Sequence, residues 1–149
     1  MIYFTLQRTG DGRKSLITYY AYANKDFTDF ESEPKILFNA KYGSIDNDII
    51  EHNGKYHLFY KGNTKNENGK EIKNGIQQAV SKSLHGKWKE DFKYLDAYAD
   101  TRTGVEGSGV FKLNDSDEYV LMYDLYSSGR YEYQTSKDLF NFTKEPQSF

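Results

Sequence analysis

A short element that returns three times limits the folds open to this chain more than anything else in it. It reads "NKDFTDF" at residues 24–30, "SKSLHGKW" at 81–88 and "SKDLFNF" at 136–142, with starts separated by 57 and then 55 residues. A Tyr-rich run precedes each copy: "MIYFTLQ" at 1–7, "KYHLFYKG" at 55–62 and "EYVLMYDL" at 118–125. Ahead of the second and third copies stands a further segment, "GSIDNDIIE" at 43–51 and "GVEGSGVFKL" at 104–113. A full unit therefore reads strand, turn, strand, loop, strand, then a Lys-Asp or Lys-Ser turn leading to an aromatic. Repeats of roughly 40–60 residues built from about four short strands are the blades of a β-propeller.

The chain divides into an incomplete blade over 1–40, which begins at its second strand, and blades over 43–97 and 104–149. It is one all-β domain of antiparallel four-stranded sheets. Closing a ring takes at least about four blades, and about two and a half are present here, so the 149 residues read as part of a ring.

Composition supports strands: 14 Tyr and 10 Phe stand against 2 Pro and 2 Met, and aromatic side chains suit a pleated, half-buried surface. The turns have mechanisms of their own. "HNGK" at 52–55 places Asn-Gly between two apolar runs, the strongest short hairpin signal. "SSGR" at 127–130 and "TGDGR" at 9–13 do similar work. Ile76, Ala79, Val80 and Leu84 have helical spacing, which leaves a helix open over "GIQQAVSKSL". Its counterparts "YYAYANKDF" and "RYEYQTSKDL" lack that stripe, and strand is the reading taken.

Several function classes fall away. A net charge of −2 gives no electrostatic footprint for nucleic acid. The basic run "KNENGKEIK" at 65–73 is interleaved with acids and reads as solvated loop. With no Cys there is neither a disulfide framework nor a thiolate nucleophile. No apolar run reaches membrane-span length, and the start "MIYFTLQRTGDGRK" carries no signal-peptide core. His52, His57 and His85 share no ligand spacing, so no metal site is expected from them.

The carboxylates carry the chemical signal. In a propeller the first strand of each blade lines the central channel, and these strands hold Asp46 and Glu106. Period-2 geometry puts Asp46 and Asp48 on one face with Ile45, Asn47 and Ile49 on the other. Two acids converging from adjacent blades suit glycoside cleavage, where one stays protonated to meet the leaving oxygen. Gly107 and Gly109 leave room beside Glu106. Val105 and Val110 are expected to limit water there and so favour the acid form. The bland alternative is a satisfied strand-end acid. Asp48 and Glu51 read as solvent-facing or turn-binding, and Asp26 and Asp138 as backbone caps.

The blocks "GSIDNDIIEHNGKYHLFYKG", "VEGSGVFKLNDSDEYVLMYDLY" and "GRYEYQTSKDLFNF" resemble glycoside hydrolase family 43, particularly its arabinosidase- and xylosidase-like members from gut bacteria. The resemblance implies a five-bladed propeller that hydrolyses arabinosides, xylosides or galactosides with inversion. It implies that Glu106, in "VEG", is the general acid and that Asp46, in "SID", orients it. Asn47 stands where many relatives carry Pro. The family's general-base Asp comes from a first-blade strand upstream of residue 1, and blades four and five would follow residue 149. On that expectation the isolated chain hydrolyses slowly or not at all. No cofactor is required, although the resemblance admits a channel ion such as Ca²⁺. Relatives are often periplasmic or secreted.

Three readings follow. The chain is the central part of a glycosidase of plant polysaccharide breakdown. Or it is a carbohydrate-binding module with Tyr60, Lys61, Asp124, Tyr126 and Trp88 as contacts, of which Tyr60 and Tyr126 have packing as the stronger alternative and Trp88 reads as inter-blade core. Or it is a homo-oligomer joined through its open blade edges.

Overall fold

The computed structural model describes residues 1–10, 15–41, 43–65, 71–91, 104–126 and 128–149, with side chains at 63–65 and 71–74 left aside. The described residues form strands and turns with no α-helix. Blade one is β1 (Ile2–Gln7), β2 (Leu16–Ala21) and β3 (Lys35–Phe38); blade two is β4 (Ile45–His52), β5 (Lys55–Lys65), β6 (Glu71–Ser81) and β7 (Lys89–Glu90). Blade three is β8 (Glu106–Lys112), β9 (Tyr119–Leu125), β10 (Arg130–Ser136) and β11 (Gln147–Ser148). Each sheet is an antiparallel meander in chain order. β1 is the counterpart of β5 and β9, so among the described residues blade one has no strand matching β4 and β8.

The turns follow their sequences. Asn53 and Gly54 have φ of 51° and 72°, both central residues in the left-handed region that a two-residue hairpin demands. Glu51 accepts the Gly54 N–H at 2.6 Å, which makes it the turn-binding acid expected. In the last blade Ser136 accepts the Asp138 and Leu139 N–H groups, and Asp138 accepts those of Phe140 and Asn141. In blade one the cap is not Asp26 but Asn24, whose Oδ1 takes the Thr28 N–H at 2.9 Å. The tip of "TGDGR" and most of the "KNENGKEIK" loop lie outside the described residues.

β6 settles the helix alternative: it pairs with β5 in a run from Tyr56↔Ser81 to Gly62↔Gly75. Its apolar residues look helical because both faces are covered. Ile76 joins the core between blades two and three, with Phe59, Val110, Leu121 and Leu139. Ala79 joins the core between blades one and two, with Phe38, Leu58 and Tyr60. Gln77 and Gln78, between them, are fully buried. Gln78 donates to the Leu139 carbonyl at 2.7 Å, across the junction of blades two and three. Trp88 packs at the junction of blades one and two, 6.4 Å from the Phe38 ring, as inter-blade core.

Candidate active site

The site is built where the edge strands β4 and β8 face each other. Each carries a bulge at the same place. In β4 the register steps from Ile45↔Lys61 to Asp48↔Phe59, and in β8 from Glu106↔Asp124 to Gly109↔Met122. The bulged residues Asp46 and Gly107 have φ of 53° and 65°. Aspartate is among the few residues with a side chain that tolerate this region. A bulge re-aims side chains, and this one overturns the simple alternation expected of "SIDND".

The two acids of β4 divide as a result. Asp46 is exposed and takes the Gly107 N–H on Oδ2 at 3.1 Å, while its carbonyl accepts the Ser108 hydroxyl at 2.6 Å. Asp48 is half-buried rather than solvent-facing. It accepts the Tyr3 hydroxyl at 2.9 Å and the Ile49 N–H at 2.9 Å on Oδ1, and the Val110 N–H at 2.8 Å on Oδ2. One carboxylate thus touches all three blades. Burial and then the Asp48 charge push the Tyr3 hydroxyl up to about 12. Sequence reasoning passed over this clamp. Its signal was the open edge of β8, whose outward N–H groups need acceptors from somewhere.

Glu106 sits directly before the second bulge, its side chain 37% exposed, and Lys61 Nζ donates to its Oε2. The same ammonium lies 4.6 Å from the centre of the Tyr126 ring, a cation–π distance. Asp124 stands opposite Glu106 in the strand register. Glu106, Asp46, Lys61, Asp124 and Tyr126 therefore gather at one junction. Tyr60 does not: it is fully buried, packs on Phe38 and donates to Glu90 at 2.8 Å. Strand alternation explains the difference, since Tyr60 and Lys61 face opposite sides of β5. Val105 and Val110 are also turned inward, into the core between blades two and three. They do not wall off Glu106, and its immediate partner is a cation instead.

The backbone beneath Lys61 is held closely. A Cβ on Gly62 would lie 2.5 Å from the Gly43 carbonyl oxygen, and Gln77 donates to the Gly62 carbonyl at 2.6 Å. Beside Asp46, a groove of about 450 Å³ runs between β1 and β4, bounded by Tyr3, Thr5, Ile45, Asp46 and Asn47 among others. Asn47 donates to Thr5 at 2.9 Å, but its Oδ1 is buried with no hydrogen-bond partner among the described residues. Among the described residues no three of His, Asp and Glu are grouped to hold a metal ion.

Successive antiparallel blades with acids on their adjoining edge strands define a propeller-type protein with a carboxylate-bearing junction. The chain belongs to the family described as "probable glycosyl hydrolase domain", a relative of glycoside hydrolase family 43, whose sequence profile matches residues 1–149. Among solved structures it is similar to a thermostable family-43 glycoside hydrolase (TM-score 0.65, 15% identity, 98% of this chain and 51% of that one). It is also similar to the family-43 protein BlXynB of Bacillus licheniformis (0.56, 14%, 96% and 32%). A third is an endo-1,4-β-xylanase of Bacteroides thetaiotaomicron (0.54, 15%, 97% and 54%). The chain thus spans about a third to about half of these proteins. At such identities the likeness is one of fold. No curated protein matches the sequence.

Proposed function

We propose that this chain carries the acid half of an inverting glycosidase centre acting on arabinosides or xylosides in plant polysaccharide breakdown. Glu106 is the proton donor, and Asp46 positions it by holding the next peptide N–H. The observation that supports this reading is the pairing of Asp46 with Gly107 across the blade junction, one residue from the carboxyl that Lys61 engages. An ammonium donates to an ionised carboxylate, whereas a general acid must carry a proton. Productive binding therefore requires the sugar to displace Lys61 from Glu106. Lys61, Asp124 and Tyr126 are the contacts proposed for the sugar's hydroxyls and ring face.

Inversion needs a second carboxylate roughly 6.5–9.5 Å from the first, with water between. Asp46 is committed to the β8 backbone and is not assigned that task. The proposed chemistry needs no cofactor, since proton donation and water activation are both carried by carboxylates. The test is hydrolysis of 4-nitrophenyl α-L-arabinofuranoside and β-D-xyloside by the longest natural chain containing this sequence, beside Glu106→Gln. Loss of activity in the variant is expected. Undiminished activity would sink the assignment.

A second reading, carbohydrate binding without turnover, is favoured by Tyr126, which is 43% exposed beside a charged pair. Titration with arabino- and xylo-oligosaccharides tests it. No binding by a folded chain removes it.

A further inference from the structure

Lys61 is placed to do more than touch the sugar. It leaves β5 beside Gly62, where a Cβ would meet the Gly43 carbonyl oxygen at 2.5 Å, so its backbone has no room to shift. Its side chain is only 9% exposed. Among the described residues the ammonium has two partners, the Glu106 carboxylate and the Tyr126 ring. A charge so far out of water depends on its counter-ion.

Glu106 in turn is faced by charge from every element around it. Lys61 reaches it from β5, Asp46 of β4 holds the N–H of the next residue, and Asp124 of β9 is its partner in register. Tyr126, just past β9, stands over the ammonium. Among the described residues, one cation here stands against three carboxylates. Like charges set opposite one another in a ladder repel, and the ammonium is what offsets that repulsion at Glu106.

We infer that Lys61 is a positioning residue that holds Glu106 in its ionised form until the sugar arrives, so that productive binding takes up one proton from solvent. The inference rests on the reading of Glu106 as the acid. Before substrate binds, the ammonium and the carboxylate are paired. The sugar's hydroxyls draw the ammonium away, and the crowded carboxylate takes a proton. That proton passes to the leaving oxygen as the glycosidic bond breaks. The attacking water gives its hydroxide to the sugar and its own proton to the base, which returns it to solvent, so proton uptake and release balance over the cycle. Glu106 is then a carboxylate again, and Lys61 closes on it as the product departs. The sign follows from the two forms. The free enzyme is ionised at Glu106 and the working complex is protonated, so binding weakens as pH rises.

The experiment is the pH profile of kcat and of kcat/KM on xylo- or arabino-oligosaccharides, using the longest natural chain containing this sequence. Wild type is compared with Lys61→Met, Lys61→Arg and Glu106→Gln. The profile of kcat/KM reports the free enzyme and that of kcat the complex. In the wild type, kcat/KM is expected to fall about tenfold per pH unit on its alkaline limb while kcat still holds. Lys61→Met should move the kcat/KM limb up by about one pH unit or more and leave the kcat limb in place, so that the two approach. Lys61→Arg keeps the cation and should keep the gap. A loss of packing alone would lower activity at every pH and move neither limb. Lys61→Gln replaces Lys61→Met if that variant does not fold. Coincident limbs in the wild type, or a kcat/KM limb that Lys61→Met does not move, would overturn the inference and leave Glu106 as the acid. No hydrolysis by the wild type, or undiminished activity in Glu106→Gln, would remove the acid assignment and this inference with it.

Discussion

Among single residues, the acids that hold structure separate from those open to substrate. Asp48 satisfies three donors, from Tyr3, Ile49 and Val110, and hydrogen bonds to a charged group are worth about 1.5–3 kcal/mol each. Asp48→Asn keeps the shape but loses the charge and one acceptor. It is expected to cost on the order of 2–3 kcal/mol in urea unfolding, whereas Glu106→Gln, at a partly exposed side chain that keeps an amide oxygen for the buried Lys61 ammonium, is expected to cost less. His57 supplies a pH prediction. Burial first, then the charges of His52 and Lys55, lower it from 6.5 to about 4, consistent with a neutral ring beside Gln78 and Phe140. The unfolded chain therefore binds the extra proton between these values. Stability from this group is full above about 6.5, falls as pH drops to about 4, and is flat below, for up to about 3 kcal/mol. Urea melts at stepped pH should show that slope, and His57→Gln should remove it. The roles of Asp46 and Glu106 were suggested by motif. The Lys61 contact was not legible as an ion pair, because it depends on a bulge that no alternation pattern announces.

Among the elements, the paired bulges of β4 and β8 and the close packing at Gly62 position the site. Gly107 has φ of 65° but open space around it, with the Asp124 Cβ at 3.8 Å. Gly107→Ala should therefore cost only the left-handed backbone term, about 1 kcal/mol. Gly62→Ala places a Cβ 2.5 Å from backbone and must move β5 together with Lys61. Urea melts should rank Gly62→Ala clearly below Gly107→Ala in stability; the reverse order would contradict the packing described. The strands and their turns were largely readable. Asn53-Gly54 announced its hairpin, and the Ser-Lys-Asp turn announced the cap at Asp138. Burial and then the N–H groups of Asn141 and Phe140 act on Asp138, and the hydrogen bonds prevail, holding its carboxyl below the usual range. A misreading fell where local pattern and tertiary setting part company: Asp26 lost its capping role to Asn24. β6 reads as a strand against its helical stripe, and the stripe arises because blades cover both its faces.

For the molecule as a whole, repeat spacing alone makes the blades visible, and the same comparison shows that among the described residues blade one has no strand matching β4 and β8. What spacing could not give was the relation between blades, namely which acid of β4 reaches across to β8 and which aromatic is buried. Tyr60 and Tyr126 look alike in sequence, yet one is fully buried core and the other lies exposed beside Lys61. Such distinctions come from the twist of one sheet against the next. The proposed chemistry stands or falls on Glu106 giving its proton to the leaving oxygen. The decisive comparison uses Glu106→Gln in the longest natural chain, with xylo- or arabino-oligosaccharides beside the corresponding 2,4-dinitrophenyl glycosides. A dinitrophenolate leaves without protonation, so a loss of about 10²–10⁴-fold is predicted on the oligosaccharide and little on the activated glycoside. Equal losses on both substrates would contradict the assignment of Glu106 as the acid.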